Sequence, residues 1–245
     1  MSSSAEPARL SCRRAWLRAT AALLLRISAA YAQQERRLPP PEKPPDDPDL
    51  RRLLARMNNV VDSRDAAALT ALMLPTFRVE FDVGKGPQVF RRHWKPESKE
   101  SRVWEVLGKA LAVQGAFCLP TLFCIPYVYV RFPWDLDPLA YVVAVGEGAT
   151  LRNRPGPDAA ALEKLKHSII RLAEPLSPPV VVPDSQFLAV DDPGAGRCYV
   201  AGSDVYSPAA HRMFFERRNG KWQWISLAAA TLADPPQLKS QAPKG

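Results

Sequence analysis

The sequence predicts an α+β fold: a helical N-terminal region, then a region of short strands, then a C-terminal β-hairpin. Three observations carry this reading. Leu50, Leu53, Leu54, Met57, Val60 and Val61 recur at helical spacing. After Phe117 the pattern changes to short β-branched and aromatic runs broken by prolines. Near the end, Asn219-Gly220 stands between two apolar stretches, the signal of a two-residue type I′ hairpin. The 245 residues are 47% hydrophobic and 24% charged, enough apolar material for one large or two small domains. Proline outnumbers glycine by 25 to 12, which favours short elements and extended connections.

Residues 1–32 read as an export signal. Arg9, Arg13, Arg14 and Arg18 form a positive front, Ala19 to Leu25 a short apolar run, and Ala30-Tyr31-Ala32 a cleavage site with Gln33 as the mature start. The apolar run is too short to span a bilayer, and no later stretch is long enough either. The segment Cys12-Arg13-Arg14-Ala15-Trp16-Leu17-Arg18 resembles a twin-arginine signal, except that Cys12 stands where Ser or Thr is usual, so the export route stays open. The expected location is periplasmic or extracellular. Five Arg and one Glu lie in these 32 residues, so half of the +8 formal charge belongs to the signal. The remaining +4 is an ordinary solvated surface and gives no reason to expect nucleic acid as a partner.

Six prolines within residues 39–48 make an extended, solvated linker. Asp47-Pro48 supplies an N-cap and a proline in the first turn of a helix. Asp62 or Ser63 is expected to start a second helix over residues 66–74, stopped by Pro75. Phe77, Val79, Phe81 and Val83 alternate with Arg78, Glu80 and Asp82 as a half-buried strand. A third helix is expected over residues 101–113. The strand-like runs then cover residues 123–125, 127–132, 141–145, 168–172, 180–182, 187–190 and 197–200. In the hairpin, residues 211–217 and 221–227, a two-residue loop places Phe215 opposite Trp224 and Phe214 opposite Ile225. Both faces would be partly buried, so the hairpin should sit inside a larger sheet.

Residues 141–205 resemble the bacterial Src-homology-3-like (SH3-like) domain, a small β-barrel of exported proteins. Tyr141-Val142-Val143-Ala144-Val145 is similar to its first strand, and Leu151-Arg152-Asn153-Arg154-Pro155-Gly156-Pro157 to its L-N-V-R-x-G-P segment. Residues 162–165 and 168–172 are similar to its second and third strands. Phe187–Val190 and Gly196-Arg197-Cys198-Tyr199-Val200 are similar to its W-x-x-V and G-x-x-G-W-V strands, with Phe187 and Tyr199 in place of Trp and Cys198 in place of Gly. The resemblance implies a module that binds peptides or cell-wall components. The flanks, Asp65–Leu69 with the following strand and Tyr206–Ala230, resemble a nuclear-transport-factor-2-like cone fold, which implies an apolar pocket. The expected organisation is 1–32 signal peptide, 33–48 Pro-rich linker, 49–138 α+β region, 139–206 SH3-like barrel, 207–232 hairpin packed on the rest, and 233–245 disordered tail.

No catalytic set stands out. Cys118 and Cys124 flank Pro120, so a disulfide can close a small loop between them; Cys198 is an alternative partner for either, and one thiol is left over. No C-x-x-C motif occurs, and His93, His167 and His211 have no metal spacing, so no metal or cofactor is expected. Arg91 and Arg92, beside His93-Trp94, are candidates to contact an anion, because guanidinium forks match carboxylate and phosphate. Asp135 and Asp137 sit between prolines as turn residues. Tyr141 and Tyr199 are the amphipathic candidates for a ligand groove. The leading expectation is a non-enzymatic exported binding protein. A small-ligand or enzymatic pocket in a cone-shaped domain and a structural or assembly role are the alternatives. Mass spectrometry of the exported protein should find a chain beginning at Gln33; an exported chain still beginning at Met1 would contradict the signal reading.

Overall fold

The computed structural model describes residues 36–80, 82–192 and 194–229, so the expected signal segment with its Ala32 cleavage site and the tail 233–245 lie outside the described residues. Helix α1, Pro48–Ser63, begins where sequence places it: Asp47 Oδ1 accepts the amides of Asp49 and Leu50, 3.0 and 3.1 Å away. It buries Leu50, Met57, Val60 and Val61. Helix α2, Ala66–Ala71, starts later than expected, because Asp65 rather than Asp62 or Ser63 is its cap; Asp65 Oδ1 accepts Ala68 N–H at 2.9 Å.

Strand β1 runs Met73–Val79, earlier than expected, and β2 is the short Gly84–Lys85. Helix α3, Pro87–Trp94, was not expected. Its sequence shows no long apolar stripe, and only Phe90 is fully buried, yet Pro87 at its start and three basic residues in its last turn suit a helix. Helix α4, Val103–Ala112, corresponds to the expected third helix and buries Val103, Trp104, Val106, Leu107 and Ala110. Strands β3, Ala116–Leu119, and β4, Leu122–Ile125, form a hairpin.

The run at residues 127–132 is a correction: it contains helix α5, Tyr127–Arg131, not a strand. Pro126 and Pro133 isolate it, and its burial is one-sided in the helical sense, with Tyr127 and Val128 inside and Tyr129 on Phe214, ring centroids 5.7 Å apart. After it come β5 (Tyr141–Ala144), β6 (Ala149–Arg152), β7 (Ala161–Leu165), β8 (Ile169–Arg171), β9 (Phe187–Asp192), β10 (Gly196–Ala201), a 3₁₀ turn at Gly202–Asp204, β11 (Val205–Tyr206), β12 (Arg212–Arg218) and β13 (Lys221–Ala228). Val180–Val182 forms no strand, because flanking prolines remove ladder donors; Val180 and Val182 are buried nonetheless.

The C-terminal hairpin occupies the middle of a six-stranded sheet of order β2-β1-β13-β12-β4-β3, with β1 parallel to β13. Asn219 and Gly220 both hold positive φ, 51° and 78°, as a type I′ turn requires. Phe215 pairs with Trp224, but an irregularity beside it pairs Phe214 with Ser226 rather than Ile225. One sheet face carries the large core, in which Trp224 is surrounded by Phe77 and Phe90 at centroid distances of 4.6 and 6.2 Å.

The region between β5 and β11 forms a three-stranded sheet, β11-β5-β8, and a four-stranded sheet, β7-β6-β10-β9. A bridge between Leu172 and Val190 links them, and neither sheet closes on itself as a barrel. Val142, Ala144, Leu151, Ile170, Leu188, Val190, Cys198 and Val200 fill a separate small core between them. Strand β5 serves both cores: Val142 and Ala144 face the small one, while Val143, flanked by Tyr141 and Val145, faces the large one. Trp224→Ala should destabilise the fold by about 3–5 kcal/mol, the range for emptying a buried aromatic site, as read by urea denaturation.

Candidate functional site

The clearest recess lies where α4 meets the small β unit. Gly108, Lys109, Ala112 and Val113 form one wall, and Val145–Gly148, Asp184, Ser203 and Asp204 form the other, around a cleft of about 410 Å³. Lys109 fixes its geometry. The ammonium donates to the carbonyls of Val182 and Gly202 at 2.9 and 2.7 Å and to Asp184 Oδ1 at 2.8 Å. Three donors therefore meet three acceptors, and the side chain is only 17% exposed. Gly202 has to be glycine, since a Cβ there would strike the Pro183 carbonyl oxygen. With Asp184 neutralised, Glu147 and Asp204 are the carboxylates left to face a ligand in this cleft.

A second feature is a buried polar pair, whose adjoining cavity shares Lys109 with the recess. His211 Nε2 is 3.1 Å from Glu80 Oε1, and Glu80 Oε2 accepts the Ala229 amide at 2.8 Å. Tyr206 donates its hydroxyl to the His211 carbonyl at 2.5 Å, and burial pushes the Tyr206 hydroxyl far above its ordinary value. His211 is 5% and Glu80 8% exposed. The adjoining cavity, lined by Val106, Val180, Tyr206 and His211, measures about 30 Å³, room for about one water. The pair thus anchors the ends of β12 and β13 and is largely shielded from solvent. Strand alternation puts Glu80 on the polar side, so sequence missed its burial; it stands just beyond β1 with φ 49°, which turns it inward.

Tyr141 and Tyr199 are not brought together. Tyr141 packs on the large core with Phe132 at 6.5 Å, whereas Tyr199 pairs with Ala189 and Arg152 in the four-stranded sheet. Neighbouring Cys198 and Val200 take the inward positions of β10, which leaves Tyr199 on its outer face. Arg91 is held by Glu97, Nε to Oε1 2.7 Å, and Arg92 is exposed on α3. Their neighbour Trp94 packs on Phe90 and His211. Cys118 and Cys124 are joined by a disulfide across the β3–β4 hairpin, Cα–Cα 6.4 Å, and Cys198 is a buried free thiol. Burial, helped by Asp192, raises the Cys198 thiol above its ordinary value, the reverse of what a nucleophile needs. Asp137 bonds backbone within its own turn, accepting Leu139 N–H at 2.9 Å. Among the described residues, no three potential metal ligands converge and no helix is long and apolar enough to cross a membrane.

No known family model matches the chain, and no curated protein matches it. Among solved structures it is similar to an NTF2-like protein with a cystatin-like fold from Novosphingobium aromaticivorans. That likeness has 15% identity and a TM-score of 0.26 and covers 78% of this chain and 84% of the other. At that distance it carries no argument about function.

Lys109→Met should cost about 1–3 kcal/mol, because it strands two carbonyls that the ammonium now satisfies. Asp184→Asn, at a 56% exposed partner, should cost about 0–1 kcal/mol. Equal losses in urea denaturation would contradict this account of the clamp.

Proposed function

We propose that this chain is an exported, non-catalytic binding protein whose SH3-like module, residues 139–206, holds an extended peptide, including the peptide part of a cell wall, in the cleft against α4. One observation carries the reading. Taken across the Leu172–Val190 bridge, the strands run β11-β5-β8-β9-β10, with a 3₁₀ turn just before the last strand in sequence and β6–β7 as an arm inserted between the first two. An SH3-like unit would have this strand order, which supports the reading. The cleft lies at the base of that arm and beside the 3₁₀ turn, at Val145–Gly148 and Ser203–Asp204. Its volume, about 410 Å³, falls within the usual size of a ligand site.

The chemistry narrows the ligand. Glu147 and Asp204 favour a segment bearing an amino or guanidinium group, and the backbone of Gly146 and Gly148 allows close approach of a second chain. Edge strand β7 is a poorer docking element. It presents Glu163 and Lys164, charges that discourage strand addition.

A second reading rests on a cleft of about 370 Å³ walled by Leu54, Leu111, Phe123, Ile125 and the linker prolines Pro44 and Pro45. Its apolar wall suits a small apolar ligand. Glu42, Lys43, Asn58 and Gln114 add polar groups to its lining.

The chain from Gln33 to Gly245 should bind Lys-containing extended peptides in fluorescence polarisation and sediment with purified sacculi. Glu147→Lys with Asp204→Lys should weaken both by about tenfold, the scale of losing one charge-assisted hydrogen bond. Absence of binding to either probe, or binding that the double variant leaves unchanged, would defeat the proposal.

A further inference from the structure

The large sheet has a second face, away from the core, and its residues form a cationic and apolar trough. Phe77 and Val79 point into the large core, so Arg78 between them points the other way. Arg78 is the register partner of Lys85 in the antiparallel β1–β2 pair, which puts the two side chains on one face with Cβ atoms roughly 4.5–5.5 Å apart. Continuing across the sheet, Arg78 pairs with Ser226, and Ser226 pairs with Phe214. The trough has a volume of about 390 Å³ and a floor of Leu122, Phe214 and Ile225. Arg78, Lys85 and Arg218 rim it.

The charges are the unusual part. Like charges directly opposite across two strands destabilise the pairing. Arg218 is relieved by Glu216, but neither Arg78 nor Lys85 is ion-paired to any described residue, and both are exposed. An anion seated between them would offset the repulsion, since a guanidinium and an ammonium can share one carboxylate. The apolar floor lines the same trough as this pair, and its volume of about 390 Å³ leaves room for more than a headgroup. A hydrophilic anion would leave Ile225 and Leu122 uncovered, and a neutral apolar ligand would leave the cations unpaired.

We infer that this outer sheet face binds a single-chain amphiphile, a long-chain alkyl carboxylate, with its head on Arg78 and Lys85 and its tail along Leu122, Phe214 and Ile225. The site is on the opposite side of the sheet from the large core and shares no residue with the cleft at α4.

Isothermal titration of the Gln33–Gly245 chain with monomeric dodecanoate tests the inference. Saturable binding is expected, with dodecyltrimethylammonium and acetate each binding at least about tenfold more weakly. Arg78→Gln with Lys85→Gln should weaken dodecanoate by about tenfold or more, and Ile225→Ser should weaken it with the cations intact. Both changes lie on the exposed face, so an unaltered circular dichroism spectrum verifies the fold. No dodecanoate binding, equal binding of the cationic amphiphile, or an affinity that the double variant leaves unchanged would overturn the assignment. So would capture by anionic phospholipid vesicles with no binding of free dodecanoate, which would make the patch a membrane contact.

Discussion

The ammonium of Lys109 is the contact on which the arrangement of the two cores depends. It sits on α4, a helix of the large core, and its three donors end on the small β unit at Val182, Asp184 and Gly202. Two of these acceptors are main-chain carbonyls, so the contact fixes backbone positions as well as side chains. Gly202 opens the 3₁₀ turn, and the chain leaves that turn into β11, which pairs with β5. β5 in turn has one face in each core. The clamp therefore sets the register at which the small unit leans on the large one. It also sets the width of the cleft, because its residues line the walls.

A second node does the same work at the other end of the sheet. Asp47 caps α1 with one carboxylate oxygen and receives the Trp222 indole N–H, at 2.9 Å, with the other; Arg217 lies 3.4 Å away. The Trp222 hydrogen bond, with the helix amides and Arg217, holds the Asp47 carboxyl below its ordinary value. The sign follows: the ionised carboxylate is favoured in the fold, so its contribution is present at neutral pH and is lost as pH falls through that lowered value. One residue thus joins the start of the first helix to the last hairpin, which are 175 positions apart. The sheet needs such a tie, because its two central strands come last in sequence and the four strands outside them come first.

Much of this was legible locally. The Asp47-Pro48 start, the Leu50–Val61 stripe, the Asn219-Gly220 turn and the pairing of Phe215 with Trp224 are all written in adjacent residues, and short-range rules reach them. The failures are equally specific. Tyr127–Arg131 has strand composition but lies between two prolines with room for one helical turn, so tertiary packing on Phe214 decided it. Helix α3 buries only Phe90 fully and leaves little periodicity to read. Glu80 looks like a solvent-facing strand residue, and only its positive φ and the ends of β12 and β13, far away in sequence, make it a buried partner of His211. The cleft was invisible for the same reason: its walls come from segments near residues 110, 146, 184 and 203, none of which carries a motif alone.

Polar groups inside the fold and at its recesses stand in different surroundings. Several reactive groups inside the fold are paired or buried. His211 is tied to Glu80, Cys118 and Cys124 to each other, and Cys198 is buried with its thiol raised. Charges with no ion partner among the described residues line the recesses, Glu147 and Asp204 (which accepts the Ser203 hydroxyl) at one and Arg78 and Lys85 at another. Each pair stands beside apolar or glycine backbone surface, and the two pairs have opposite sign. Charges of opposite sign at two separate recesses suit, on the readings proposed above, ligands of opposite charge at distinct places.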